Sequence, residues 1–311
     1  MSAHAKRPRA EADLPPAWLA IAKYPRGTRL LRWVFRSKAE AEEYCRSEDP
    51  TRWCDSPELV VEQDGPDLRV RVDGLAINMP QHLTVRRNWL RRHRDILAPY
   101  LVDPRPVTVF TFESGPLPEP LATRLGGPCP LPRGAAWPDC GTCGTRLDFL
   151  GALDFRGTLE RRNVPGDALA FHVCTNCPPR GEAEQMAFTW LSQSDAIEQH
   201  ACESQAMVGT GWDVLEYPNQ DKAFYSSRLE KRLGGDQAIY SLVTCLWATK
   251  IGGHIPWIQA DEAPRCTLHG PMHYVGQFFG GHVELGDSGV AYIFVCTAAG
   301  CALTTAVIQC F

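Results

Sequence analysis

A chain of 311 residues with 44% apolar and 22% charged residues has the length for two or three domains and the composition of a globular protein. No segment approaches the roughly 18 uninterrupted apolar residues of a spanning helix, which excludes that kind of membrane protein. The formal net charge of −4 is unevenly spread, with 19 Lys and Arg against 15 Asp and Glu in residues 1–105 and 13 against 21 in the remainder. A surplus of this size does not by itself identify a partner.

Met1–Pro16 is polar, basic and broken by proline, with neither an apolar run nor a small-residue cleavage pattern. It reads as a disordered tail and not as a secretory signal. A cytoplasmic location is expected, and there thirteen cysteines serve as metal ligands and buried thiols rather than as a disulfide framework.

Residues 17–105 read as a small α+β region. Leu30–Phe35 is a strand and Lys38–Arg46, rich in Ala and Glu, a helix. Leu59–Glu62 and Leu68–Val72 flank the turn-rich Gln63–Asp67 and predict a hairpin. From Pro80 to Tyr100 the period becomes helical, with Val85, Trp89, Ile96 and Tyr100 on one side and arginines on another, until Pro104 and Pro106 end the region. Val107–Phe112 is a fresh strand. Gly115–Pro120, with three prolines, then separates that strand from the C-terminal two-thirds of the chain.

Residues 106–311 contain an internal repeat, spanning about 121–191 and 247–311. Gly126-Gly127 lies fourteen residues before Cys140, and Gly252-Gly253 lies fourteen before Cys266. Each cysteine is followed at the third position by a ligand-type residue, Cys143 or His269. Each copy then continues through an apolar segment, Leu147–Gly151 or Met272–Gly276, and returns on a strand that ends in cysteine, Ala168–Val173 into Cys174 and Val290–Val295 into Cys296. Between the copies, Met186–Leu191 and Trp212–Glu216 read as strands, and Ala238–Trp247 as a helix or a strand. The expected fold is α+β: a duplicated, mainly antiparallel β scaffold with two zinc-ribbon-like knuckles, plus the small N-terminal region.

A C-x-x-C turn offers two thiolates from one tight knuckle, and two such knuckles complete a tetrahedral zinc site. Cys140, Cys143, Cys174 and Cys177 form such a set. In the second copy Cys266, His269, Cys296 and Cys301 form a less regular one, with His273 or Cys310 as alternatives to Cys301. Four protein ligands leave no open position for water, so both ions are expected to be structural. Cys45, Cys54, Cys129, Cys202, Cys245 and Cys310 read as small core residues.

Leu125-Gly126-Gly127-Pro128 with Pro132, Trp137-Pro138 and Leu147–Leu150 resembles the first motif of the YwqG-like domain family, which is of unknown function. Lys250–Gly253 with Pro256–Gln259 is similar to its second motif, and Gly286–Gly289 with Gln309-Cys310-Phe311 to its closing pattern. The resemblance covers about residues 121–311. It departs at Ala152, where members tend to carry the glutamine that the second copy has at Gln277. The resemblance implies an α+β fold with antiparallel sheet and no established reaction. Because some members are encoded beside bacterial toxins, it also implies a protein-binding role.

Three functional classes are consistent with these features. The first is a protein-interaction module, immunity-like or an adaptor, whose loops are fixed by zinc, with Trp137, Trp257 and Phe279 as candidate anchors, although core packing is the commoner role of such aromatics. The second is a nucleic-acid-binding zinc protein, in which Arg86, Arg87, Arg91, Arg92 and Arg94 meet phosphates from one helix. The third is an enzyme of unknown reaction that uses His273, His282, Glu284 and Asp287, although no nucleophile, phosphate loop or H-E-x-x-H arrangement accompanies them.

Overall fold

The computed structural model describes, with side chains, residues 103–177, 184–202, 204–216, 248–280, 285 and 289–310, and the backbone of Ala183. Within residues 18–87 it describes five strands, together with Ala39 and Glu43. The chain divides into two units, residues 1–104 with 220–243 and residues 105–219 with 244–311.

The first unit contains β1 (Trp18–Lys23), β2 (Arg29–Phe35), β3 (Glu58–Asp64), β4 (Asp67–Asp73) and β5 (His82–Arg87). They form an antiparallel sheet in the order β2-β1-β5-β4-β3, and β3 and β4 make the expected hairpin, closing at Asp64 opposite Asp67. The helical reading of 80–100 is overturned over His82–Arg87. These residues pair with β1 on one side and β4 on the other, so the backbone finds its partners in ladders rather than in a helix. The short run Leu83-Thr84-Val85, which includes two β-branched residues, suits that position. Trp89, Ile96, Tyr100 and the segment 238–247 lie outside the described residues.

The second unit holds β6 (Arg105–Ser114), β7 (Arg124–Leu125), β8 (Cys129–Pro132), β9 (Asp148–Asp154), β10 (Ala168–Val173), β11 (Met186–Leu191), β12 (Ile197–His200), β13 (Met207–Glu216), β14 (Thr249–Gly252), β15 (Arg265–Cys266), β16 (Gly270–Pro271), β17 (His273–Phe279), β18 (Val290–Val295) and β19 (Thr304–Gln309). Its main sheet runs β19-β18-β17-β14-β6-β13-β7-β9-β10-β11, antiparallel throughout. The two end strands meet, with Trp190 Nε1 on β11 donating to Thr304 Oγ1 on β19 at 2.8 Å, so the sheet is nearly closed. The α+β expectation is therefore corrected to a nearly all-β fold. Among the described residues helical geometry is confined to Ala39, Glu43, Gly280 and two short 3-10 turns, Leu159–Asn163 and Ala183–Gln185.

Alternation explains how the layers form. On β10, Leu169, Phe171 and Val173 enter a core shared by both halves of the sheet, while Ala168 and Ala170 face a smaller core with Cys129, Leu131 and Phe149. On β18, Ala291, Ile293 and Val295 enter the shared core, while Val290, Tyr292 and Phe294 face another local core with Cys266 and Tyr274. Both strands are buried at every position, which is why their sequences are continuously apolar rather than alternating, apart from His172.

The two halves share one strand order, β13-β7-β9-β10-β11 and β6-β14-β17-β18-β19. Arg124 and Leu125 face Ala152 and Gly151, as Lys250 and Ile251 face Gln277 and Gly276. The register shifts fall at matching places, Leu150 and Val275. A Cβ added at Gly151 would fall 2.4 Å from the Arg124 carbonyl oxygen, and one at Gly276 would fall 2.5 Å from that of Lys250. Only glycine allows either approach.

A buried ion pair joins β13 to β14. Lys250 and Glu216 are both 0% exposed, with Nζ at 2.5 and 2.6 Å from the carboxylate oxygens and 2.7 Å from the His254 carbonyl. The His254 N–H donates to Glu216 Oε2 at 2.8 Å. Removing one partner strands the other in the core. Glu216→Leu should cost about 3–5 kcal/mol in urea unfolding, and Glu216→Leu with Lys250→Met should regain most of that loss. An equal loss in the double variant would show that the stranded charge is not the cause.

Candidate metal centres

Each cysteine group forms where strand ends meet a tight turn. Cys140 precedes a loop closed by Gly144 N–H to Cys140 O and Cys140 N–H to Thr145 O, both at 2.8 Å, with Gly144 at φ +68°. Cys174 follows directly on β10, and its thiol accepts the Cys177 N–H at 3.4 Å. In the second copy Cys266 ends β15, Gly270 at φ +89° reverses the chain into β16, and Cys296 follows β18. Cys301 is held by its N–H to Ala298 O at 2.9 Å.

The ligand atoms converge. In each group, Cys140, Cys143, Cys174 and Cys177 or Cys266, His269, Cys296 and Cys301, they lie within 4.8 Å of one another. Sulfur separations are 3.9 Å for Cys140–Cys177, 3.6 Å for Cys143–Cys174 and 4.0 Å for Cys266–Cys301. His269 Nδ1 stands 3.4 Å from both Cys266 and Cys296. Four thiolates about 2.3 Å from a central ion form a tetrahedron with edges of about 3.8 Å. Disulfide bonding would require about 2.05 Å. Both groups are thus able to hold a metal ion.

The thiols differ in their surroundings. Hydrogen bonds from the Thr145 side chain and backbone pull the exposed Cys143 down to about 6, and backbone N–H groups, Leu268 first, pull Cys266 to about 6. Burial and neighbouring thiols push Cys177 up to about 12. The alternatives to Cys301 stand elsewhere: Cys310 Sγ contacts Leu285 O at 3.6 Å, and His273 Nε2 binds Glu160 Oε2 at 2.8 Å. Glu160, which reaches His273 from the first half, is a partner that sequence reading missed, since only the fold brings positions 160 and 273 together.

The other sequence-selected residues separate. Arg86 and Arg87 lie on β5 opposite Leu19 and Trp18, not on a helix, while Arg91, Arg92 and Arg94 lie outside the described residues. His282, Glu284 and Asp287 also lie outside them. Trp137, Trp257 and Phe279 pack against the local cores: Trp137 Nε1 donates to Leu147 O at 2.7 Å, and Trp257 stands 4.9 Å from the Tyr292 ring. Cys129 is buried with its thiol 3.2 Å from His172 Nε2, where burial raises the thiol to about 12 and lowers the imidazole to about 4, so both are neutral.

No protein-family model matches the chain, and no curated protein matches it in sequence. Among the described residues no helix is long and apolar enough to cross a membrane.

If both groups load, elemental analysis of purified protein should find two ions per chain. Cys140→Ser or Cys296→Ser should each reduce that to about one, because a tetrahedral site that loses a thiolate binds far more weakly. Acidification should release the ions as the thiols are reprotonated, followed with a chromogenic chelator. A chain without metal at neutral pH would refute both sites.

Proposed function

We propose that the chain is a zinc-stabilised protein-interaction module, immunity-like or an adaptor, acting in the cytoplasm. Zinc is the ion favoured by four sulfurs in one site and three sulfurs with one imidazole in the other, at tetrahedral spacing. With four protein ligands each ion is structural, so it restrains loops rather than activating water. The motif resemblance to YwqG-like domains supports the same class.

The observation that carries the reading is where apolar surface is left outside. The exposed large hydrophobic residues among those described are Leu159, Leu268 and Leu303, at 67%, 83% and 45%. Leu268 sits between Cys266 and His269, and Leu303 follows Cys301 by two residues. Two of the three therefore belong to the second metal knuckle. At the matching position of the first knuckle the residue is Thr142. An exposed leucine on a clamped loop loses little conformational freedom on docking, which favours recognition.

Leu268→Asp with Leu303→Asp should leave metal content and unfolding midpoint unchanged, because neither side chain packs in the core. In cross-linked pull-downs from the source cell, at least one protein held by the wild type should be lost from the double variant. Identical profiles would refute the assignment of this face. Recovery of nucleic acid alone would refute the class.

A further inference from the structure

The two halves treat their matched buried cations differently. Arg124 and Lys250 each stand two residues before a Gly-Gly turn, at the same ladder position, and both are 0% exposed. Lys250 has the Glu216 carboxylate. Among the described residues Arg124 has a single acceptor, the Pro120 carbonyl at 2.8 Å from Nη2, and its Nε and Nη1 are buried with no hydrogen-bond partner. The acids nearby in sequence are engaged elsewhere, since Glu119 and Asp154 both bind Arg156, at 2.5 and 2.7 Å. Burial pulls Arg124 down to about 10, opposed by the Cys129 and Cys202 thiols. A buried guanidinium with idle donors and no counter-charge is costly unless something supplies the anion.

A cavity of about 500 Å³ lies beside it, within the range of small-molecule sites. Trp137, Arg146, Asp148, Phe149, Cys202 and Ser204 are on its lining. The Phe149 ring is 6.0 Å from the Arg124 guanidinium carbon, and Cys202 is close enough to feel that charge. Phe149 and Cys202 are therefore the wall that Arg124 and the cavity share. The Arg146 guanidinium lies 3.8 Å over the Trp137 ring, adding a second cation at the rim. Asp148, the acid on the lining, accepts the Thr175 hydroxyl. Aromatic walls, one rim cation and one buried cation with free donors suit a flat molecule that carries one carboxylate.

We propose that this cavity binds a small planar carboxylate whose anionic group stands to Arg124 as Glu216 stands to Lys250. The ligand enters along Trp137 and Arg146 and lies over Phe149 and Cys202, with its anionic group toward Nε and Nη1. This site is separate from the leucine-bearing knuckle, so its failure and that of the protein-interaction reading are independent.

The test uses the full metal-loaded chain with benzoate as probe, neutral benzamide as its isostere and sulfate as a bare anion. Benzoate should raise the unfolding temperature and slow iodoacetamide alkylation of Cys202, read by peptide mass spectrometry, while benzamide and sulfate should do neither. Arg124→Met, which keeps the volume and removes the charge, should fold at least as stably as wild type without probe and bind benzoate about tenfold or more weakly. Arg124→Lys should keep the preference for benzoate over benzamide. Equal protection by benzoate and benzamide, protection by sulfate matching that by benzoate, or undiminished benzoate binding in Arg124→Met would overturn the proposal. If Arg124→Met does not fold, the wild-type contrast between benzoate and benzamide at Cys202 decides it.

Discussion

The ladder between β6 and β13, ten residue pairs from Arg105–Glu216 to Ser114–Met207, is the interaction on which the larger unit depends. Every other strand of its main sheet attaches to one side of this pair or the other, directly or through neighbours. The ladder also places Glu216 at its end, beside Lys250 of β14. The ion pair thus ties the β6–β13 ladder to β14 in a fully buried region, where an unpaired charge is far costlier than at the surface.

Around this ladder the metal groups act locally. Each joins a loop before one strand to the turn after the next, β9 and β10 in the first half and β17 and β18 in the second. Neither lies in the shared core, which is aliphatic and aromatic. The first group also borders the Arg124 cavity, because Leu147 packs with Cys140, Cys174 and Cys177 while its carbonyl accepts the Trp137 indole. An ion in that group would therefore hold one wall of the cavity as well as its own loop.

Much of the second unit was legible because its signals are local. The C-x-x-C turn at Cys140, the strands running into Cys174 and Cys296, and the apolar runs of β10 and β18 need only a short window to be seen. The helix expected at 80–100 shows the opposite case: Val85 fits both a helical stripe and a strand, and its partners Ala20 on β1 and Leu68 on β4 decide between them from 65 and 17 residues away. Arg124 was equally opaque. A basic residue before two glycines looks like surface, and only the fold shows that Glu216, over thirty residues before Lys250, neutralises one copy and has no counterpart in the other. Of the two readings of the aromatics, core packing holds: Trp137 and Trp257 lie in loops that bring their rings against the local cores.

The strand order of the larger unit has a consequence for synthesis. In the first half the chain runs β7, β9, β10, β11 and then β13, whereas the strand that completes the second half, β6, precedes all of them. The two matched strand sets are circularly offset, so the second half's closing strand is synthesised before the rest of either half. Both strands of the β6–β13 ladder are made before β14, so until β14 is made the ladder can leave one edge of β6 open. The edge on which the second half is laid thus belongs to a strand made well before the rest of that half, and a pause in synthesis between residues 216 and 249 would prolong its exposure to other strands.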